Sequence, residues 1–181
     1  MPDDPVARPL DPTTALALAV AQPTFRPDRH DRGRRFHTLR RDRVIGSGAG
    51  DFNAARAALF TWQVQLRSGV RVEADSPIVR LGGVAVVSVG VGPLRIGGPV
   101  RIVDVVDEPE RAGFTYVTLP GHPEAGEESF RISTDDGLVR FELTGASRPA
   151  TLLTRVGAPF AALVQHTITD RYVRSLESPR E

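Results

Sequence analysis

Apolar residues recur at helical spacing in one segment near the middle of the first half of the chain. They lie three or four positions apart, which places them on a single helix face: Phe52, Ala55, Leu59, Trp62 and Leu66. The glycine-rich run 46–50 precedes this segment and predicts a tight turn that ends at Asp51 as the helix cap. A phosphate-binding loop is the alternative, but the glycine spacing matches neither of the common nucleotide-binding patterns.

Five later segments have the alternation and the β-branched content of strands, and turn residues separate them. They are 84–91, 100–107, 113–119, 127–134 and 138–145. Because the connections between them are short, we expect an antiparallel meander. A weaker opening strand is predicted at 36–45, and residues 70–81 form either a further strand or a loop.

The last predicted element is a helix over about residues 150–176, kinked at Pro159. At 1.5 Å per residue it would be roughly 40 Å long, enough to cross a whole sheet. Strand, helix, meander and long C-terminal helix follow one another in the order of the helix-grip fold of Bet v 1 and START-like proteins. The sequence therefore predicts an α+β protein in which a curved antiparallel sheet wraps the C-terminal helix, with a cavity between them.

Residues 1–34 differ from the rest, because prolines interrupt them throughout. We interpret 1–34 as a Pro/Arg-rich extension and 35–178 as a single helix-grip domain. A short helix over 15–21, capped by Thr13 or Thr14, is the one element expected in the extension. Residues 26–35 are interpreted as a solvated linker rather than a phosphate-binding arm, since acidic residues interrupt the arginines. Removing residues 1–33 is expected to leave the stability nearly unchanged.

The amino-acid composition argues against several kinds of binding and catalytic function. The 181 residues contain 23 basic residues, every one an arginine, against 22 acidic residues, and no cysteine. The balanced charge argues against a nucleic-acid partner, and the lack of lysine and cysteine excludes Schiff-base, P-loop and thiolate chemistry. The four histidines lie far apart, so no metal site and no cofactor are predicted. The longest apolar run, 15–21, is too short to span a membrane, and acidic residues before it argue against a signal peptide; we expect a cytoplasmic protein.

Three short blocks carry a family resemblance. The stretch 113–130, with Gly-His-Pro-Glu-Ala-Gly-Glu-Glu at 121–128, resembles the signature of the DUF1990 or UPF0548 family of uncharacterised proteins. Gly46-Ser47-Gly48 with the following helix is similar to that family's N-terminal block, and Ser147-Arg148-Pro149 to its block before the last helix. The resemblance covers about residues 36–176. It implies a Bet v 1-like fold and brings no known activity.

Strand alternation selects Glu128 as the main candidate for a site. Glu128 shares a strand face with Phe130 and Ile132, so its carboxyl is predicted to point into the core or cavity. A buried carboxylate needs a counter-charge or hydrogen-bond donors, and we predict that Arg148 supplies them at the cavity mouth. A structural ion pair, or a position at the wet end of the strand, is the alternative interpretation.

Two further residues complete the candidate ligand-binding set of Tyr116, His122, Glu128 and Arg148. His122 lies in a proline-flanked turn near several carboxylates, where a histidine can serve as an acid or base, although an exposed rigid turn is the simpler interpretation. Tyr116 can offer a hydroxyl to the cavity or simply fill it.

Three alternative functions are consistent with the sequence. A module that binds a small hydrophobic or amphipathic molecule predicts a mostly apolar enclosed pocket. An enzyme that uses Tyr116, His122, Glu128 and Arg148 in that pocket predicts converging polar groups with shifted pKa values. A protein-interaction module predicts a filled core and a large exposed apolar patch. We take the binding module as the principal hypothesis.

Overall fold

The computed structural model describes residues 4–25, 36–91, 94–150, 171–172 and 175–176. Within these ranges the chain forms eight strands and three helices. In chain order they are β1 (Arg8–Pro9), α1 (Pro12–Val20), β2 (His37–Ser47), α2 (Gly48–Phe60), α3 (Gln63–Arg67), β3 (Arg71–Ala74), β4 (Val84–Val91), β5 (Leu94–Glu108), β6 (Arg111–Thr118), β7 (Glu124–Asp135) and β8 (Leu138–Pro149).

All eight strands join one mixed sheet in the order β1-β3-β4-β5-β6-β7-β8-β2. The predicted meander is confirmed: β4 to β8 pair consecutively and antiparallel, and β2 closes one edge by pairing with β8. Residues 70–81, for which the sequence left either a strand or a loop open, contribute the short strand β3. The sheet is mixed rather than purely antiparallel because β1 pairs with β3 in parallel.

The helix predicted from the apolar spacing of residues 52–66 is interrupted at Trp62. Its apolar face is confirmed, since Phe52, Leu59 and Trp62 are all buried. At Trp62, however, the backbone turns left-handed, with φ of 64°, and separates α2 from α3. A left-handed residue cannot continue an α-helix, and the spacing of apolar residues carries no information about this break.

The glycine-rich segment serves the start of α2. The cap residue is Ser47 rather than Asp51, and the Asp51 carboxylate accepts a hydrogen bond of 2.7 Å from the Ser47 N–H. A side chain at Gly46 would overlap with that carboxylate. The segment is therefore a tight turn, and this amide is bound to Asp51 rather than open to an anion.

We call the face of the sheet that carries Phe114, Phe130 and Phe141 the inner face, because these rings form the centre of the main hydrophobic core. Helices α2 and α3 pack on this side. Tyr172 and Leu176, near the C-terminus, are buried in the same core. Most of the predicted C-terminal helix, including Pro159, lies outside the described residues. Among the described residues, no helix has the length and apolar character to cross a membrane.

The opposite, outer face is partly covered by the N-terminal segment. Leu10 is buried there against Val84 and Leu119, and one side of α1 packs around this small second cluster. The Asp11 side chain caps α1 by accepting from the Thr14 N–H, so the cap is neither Thr13 nor Thr14. Residues 4–25 thus contact the sheet directly, whereas the division of the chain at residue 34 stays a prediction.

Candidate functional site

The strand register places four residues in one row across the inner face. Tyr116 of β6 is opposite Glu128 of β7, Glu128 is opposite Gly145 of β8, and Gly145 is opposite Leu39 of β2. Directly paired residues project from the same face of a sheet. This row adjoins the fully buried pair Phe114–Phe130, so it lies where the apolar core gives way to polar side chains.

Tyr116 and Glu128 form a hydrogen-bonded pair on this row. The Tyr116 hydroxyl donates to Oε2 of Glu128. Glu128 is half-buried, and loss of water around the carboxyl raises its pKa from 4.5 to about 7, although the bond from Tyr116 acts in the opposite direction. Burial, and then the nearby charge of Glu128, raise the pKa of Tyr116 well above its usual value. At neutral pH this carboxyl can therefore gain or lose a proton.

Aromatic rings surround the pair. The ring of Phe130 lies 5.6 Å from that of Tyr116 and 5.6 Å from that of Tyr172, between ring centroids. Phe114 stacks on Phe130 at 5.1 Å and meets Trp62 edge-on at 5.6 Å. Burial, followed by the Glu128 charge, also raises the pKa of Tyr172. These rings fill part of the hydrophobic core on the inner face, and Glu128 lies at their edge.

Gly145 leaves room beside the carboxyl. A Cβ built at this position would lie 3.8 Å from Cγ of Glu128 and 3.9 Å from Cβ of Leu39, which are ordinary van der Waals distances. The backbone of Gly145 is not in the left-handed region, so other residues fit its conformation. A methyl group is accommodated there, whereas a longer side chain would extend over Glu128.

His122 is half-buried in its turn but is not hydrogen-bonded to Tyr116 or Glu128. Its Nδ1 accepts a hydrogen bond of 3.1 Å from the Glu124 N–H, and burial lowers its pKa from 6.5 to about 4. Its backbone lies so close to Gly98 that a side chain at position 98 would overlap with it. His122 is therefore neutral at pH 7, and its contacts in the described chain are those of a residue that fixes the turn.

The predicted contact between Glu128 and Arg148 is wrong. Arg148 is opposite Ala125, an odd number of positions from Glu128 along β7, so the two side chains leave opposite faces of the sheet. The guanidinium lies 5.8 Å from the ring centroid of Phe36, which in turn meets Phe25 edge-on. The sequence indicated the direction of Glu128 correctly, but not the register between β7 and β8, which decides which face Arg148 joins.

Two contributors to this region were not singled out from the sequence as parts of a site. Gly145 has no local signal, since its importance follows only from its pairing with Glu128. Tyr172 is recognisable as a member of an apolar helical stripe, but its approach to Phe130 and Glu128 is a tertiary contact. Within the described ranges, no group of three or more His, Asp or Glu residues is arranged to hold a metal ion.

Solved structures share the fold at low sequence identity. The KanY protein superimposes with a TM-score of 0.56 and 10% identity, over 80% of this chain and 97% of KanY. Ara h 8.0201 matches with a TM-score of 0.47 and 14% identity over 78% of this chain and 99% of that protein. These likenesses concern the fold alone.

Sequence relatives identify the family. A UPF0548 protein of Deinococcus radiodurans is 35% identical over 146 residues, which are 73% of this chain and 72% of the relative. A UPF0548 protein of Arabidopsis thaliana is 32% identical over 130 residues, 67% of this chain and 62% of the relative. The family model described as "Domain of unknown function (DUF1990)" matches residues 21–175. The chain therefore belongs to the DUF1990 family, together with these UPF0548 proteins.

Proposed function

We propose that this protein binds a small, largely apolar molecule against the inner face of the sheet, with the Tyr116–Glu128 pair as its polar contact. The observation that carries the proposal is the half-buried carboxyl of Glu128 at the edge of an aromatic core, bonded by one hydroxyl. A carboxyl that is merely structural would gain stability from full solvation or from an arginine partner. Glu128 has neither of these among its described contacts.

Gly145 supports the same proposal because it leaves space beside the carboxyl of Glu128. It is the residue directly opposite Glu128, and it leaves the neighbourhood of the carboxyl without a side chain from β8. A ligand pocket of this kind is typically apolar, with a small number of polar groups that fix the orientation of the ligand. The rings of Tyr116, Phe130 and Tyr172 would supply the apolar wall, and the carboxyl the orienting group.

A graded series at position 145 tests this proposal. The neutral dye N-phenyl-1-naphthylamine serves as the probe, and its fluorescence reports binding to the full chain. Gly145→Ala adds one methyl at ordinary contact distance and should retain binding. Gly145→Leu should weaken binding by about tenfold or more, because its side chain occupies the space beside Glu128.

Thr144→Leu is the matched control. Thr144 is adjacent in β8 but opposite Ser129, so it projects from the outer face. It should leave dye binding unchanged, and circular dichroism checks that each variant is folded. If wild-type protein does not bind the dye, or if Thr144→Leu weakens binding as much as Gly145→Leu, the inner-face site is wrong.

An enzyme remains the second candidate, on one specific observation. The pKa of Glu128 is raised to about 7, the range in which a carboxyl transfers protons most effectively at neutral pH. The two functions share the same pair of residues. Recovery of a chemically altered ligand, rather than the unchanged one, after incubation with the wild-type protein but not with Glu128→Gln would favour the enzyme.

A further inference from the structure

The charged groups around Glu128 are distributed unevenly between the two faces of the sheet. The arginines of β7 and β8 lie on the outer face; Arg131 pairs there with Asp104, and Arg140 lies 3.7 Å from Asp42. On the inner face, Glu124 is on the same strand as Glu128, and its charge contributes to the raised pKa of Glu128. The inner-face arginines of β2, at positions 41 and 43, are two strands away from β7.

Among the described residues, the surroundings of the carboxyl are therefore one hydroxyl and several aromatic rings. Tyr116 donates one hydrogen bond to Oε2, and the Phe130 ring lies 5.6 Å from the rings of both Tyr116 and Tyr172. The charge of Glu128 contributes to the raised pKa of Tyr172. A carboxylate has two oxygens and about four acceptor positions, and a desolvated one is stabilised most by a donor that also carries positive charge. Aromatic faces attract cations as well, through the negative electrostatic potential above the ring.

We infer that the ligand bound at this site carries a cationic amine on an apolar body, with the ammonium group held by Glu128 and flanked by the rings of Tyr116 and Tyr172. This inference rests on the proposed function and names its ligand class. The ammonium group supplies both the charge and the donors that the half-buried Glu128 carboxylate lacks among its described contacts. An anionic ligand would instead place a second negative charge beside Glu128 and Glu124, which costs binding free energy.

Three probes of nearly equal shape test the inference: the cationic 2-(2-naphthyl)ethylamine, the neutral 2-(2-naphthyl)ethanol and the anionic carboxylate of 2-naphthaleneacetic acid, called the acetate below. Binding is measured by calorimetry on the full chain at pH 8, where a carboxyl with a pKa of about 7 is largely ionised and the amine is largely protonated. The amine should bind about tenfold more tightly than the alcohol, and the acetate should bind most weakly.

Two variants assign the preference to the carboxyl. Glu128→Gln removes the negative charge and should reduce the amine-to-alcohol affinity ratio to about one while the alcohol still binds. Glu142→Gln removes a carboxylate from the outer face, where Arg40 pairs with it, and should leave the ratio unchanged. If Glu128→Gln does not fold, the wild type at pH 5 keeps the test, because Glu128 is then largely protonated and the amine-to-alcohol ratio should fall toward one.

The outcomes separate the two proposals. If none of the naphthyl probes and no neutral dye binds, the proposed function itself fails. If the alcohol or the acetate binds as tightly as the amine, the interior site stands and the inference of a cationic ligand is overturned. A preference for the amine that survives in Glu128→Gln overturns the role assigned to this carboxyl.

Discussion

At the scale of single residues, Glu128 and His122 have pKa values shifted by the same cause in opposite directions. Burial disfavours the charged form of each group, which raises the pKa of the carboxyl to about 7 and lowers that of the imidazole to about 4. Both residues are thus close to neutral inside the protein at mildly acidic pH. The pH dependence of stability should distinguish them.

We predict that Glu128 makes the protein less stable as the pH rises. The folded state holds this proton more tightly than the unfolded chain, so its stabilisation is complete below about pH 4.5 and is lost as the pH rises through about 7. Glu128→Gln removes the effect. The stability of the wild type relative to Glu128→Gln should fall between pH 5 and 8, by about 1.4 kcal/mol for each unit of pKa difference. Urea unfolding at a series of pH values measures it; a difference independent of pH would contradict the assignment.

His122 should act with the opposite sign. The unfolded chain binds its proton more tightly, so stability should rise as the pH increases from about 4 to 6.5. His122→Asn removes this titration and should flatten that part of the profile in the same unfolding experiment. If His122→Asn keeps the wild-type slope below pH 6.5, the imidazole is not buried as a neutral group.

At the scale of elements, the N-terminal segment is the clearest departure from the sequence-based expectation. Prolines and polarity suggested that residues 1–33 contribute little to folding. Instead, β1 extends the sheet beside β3, and the guanidinium of Arg101 donates to the carbonyl of Leu18 in α1. The sequence did not indicate this docking because its apolar part is small and consists of Leu10 and one side of α1.

A pair of leucines in this segment tests the docking. Leu10 is only 9% exposed, so Leu10→Ala should destabilise the protein by about 2 kcal/mol. Leu16 is 72% exposed on the other side of α1, and Leu16→Ala should change the stability by less than about 0.5 kcal/mol. Thermal and urea unfolding give both values. Equal effects of the two substitutions would show that the segment does not dock as described.

The strands illustrate what a sequence can and cannot predict. The run 84–91 was predicted with its observed bounds, because alternation and β-branched residues are local signals bounded by turns. The inward direction of Glu128 followed from the same alternation. The pairing of Arg148 with Ala125 could not be obtained this way, because register depends on the neighbouring strand. The left-handed backbone at Trp62 likewise has no counterpart in the spacing of apolar residues.

At the scale of the whole molecule, the two faces of the sheet have different tasks. The outer face carries ion pairs between Arg131 and Asp104 and between Arg40 and Glu142, together with the docked N-terminal segment. The inner face carries the aromatic core and the Tyr116–Glu128 pair. The α+β class and the order of the meander were predicted from the sequence, whereas the gripping of a long C-terminal helix stays a prediction.

A ligand bound on the inner face beside Glu128 should perturb the backbone of the strands that surround it. Backbone amide NMR of the full chain, titrated with 2-(2-naphthyl)ethylamine, tests it most directly. We expect the largest saturable shifts at Tyr116, Glu128 and Gly145, while Arg131 and Glu142 on the outer face change little. Shifts concentrated on the outer face or on α1, with the Tyr116–Glu128–Gly145 row unaffected at saturation, would contradict it.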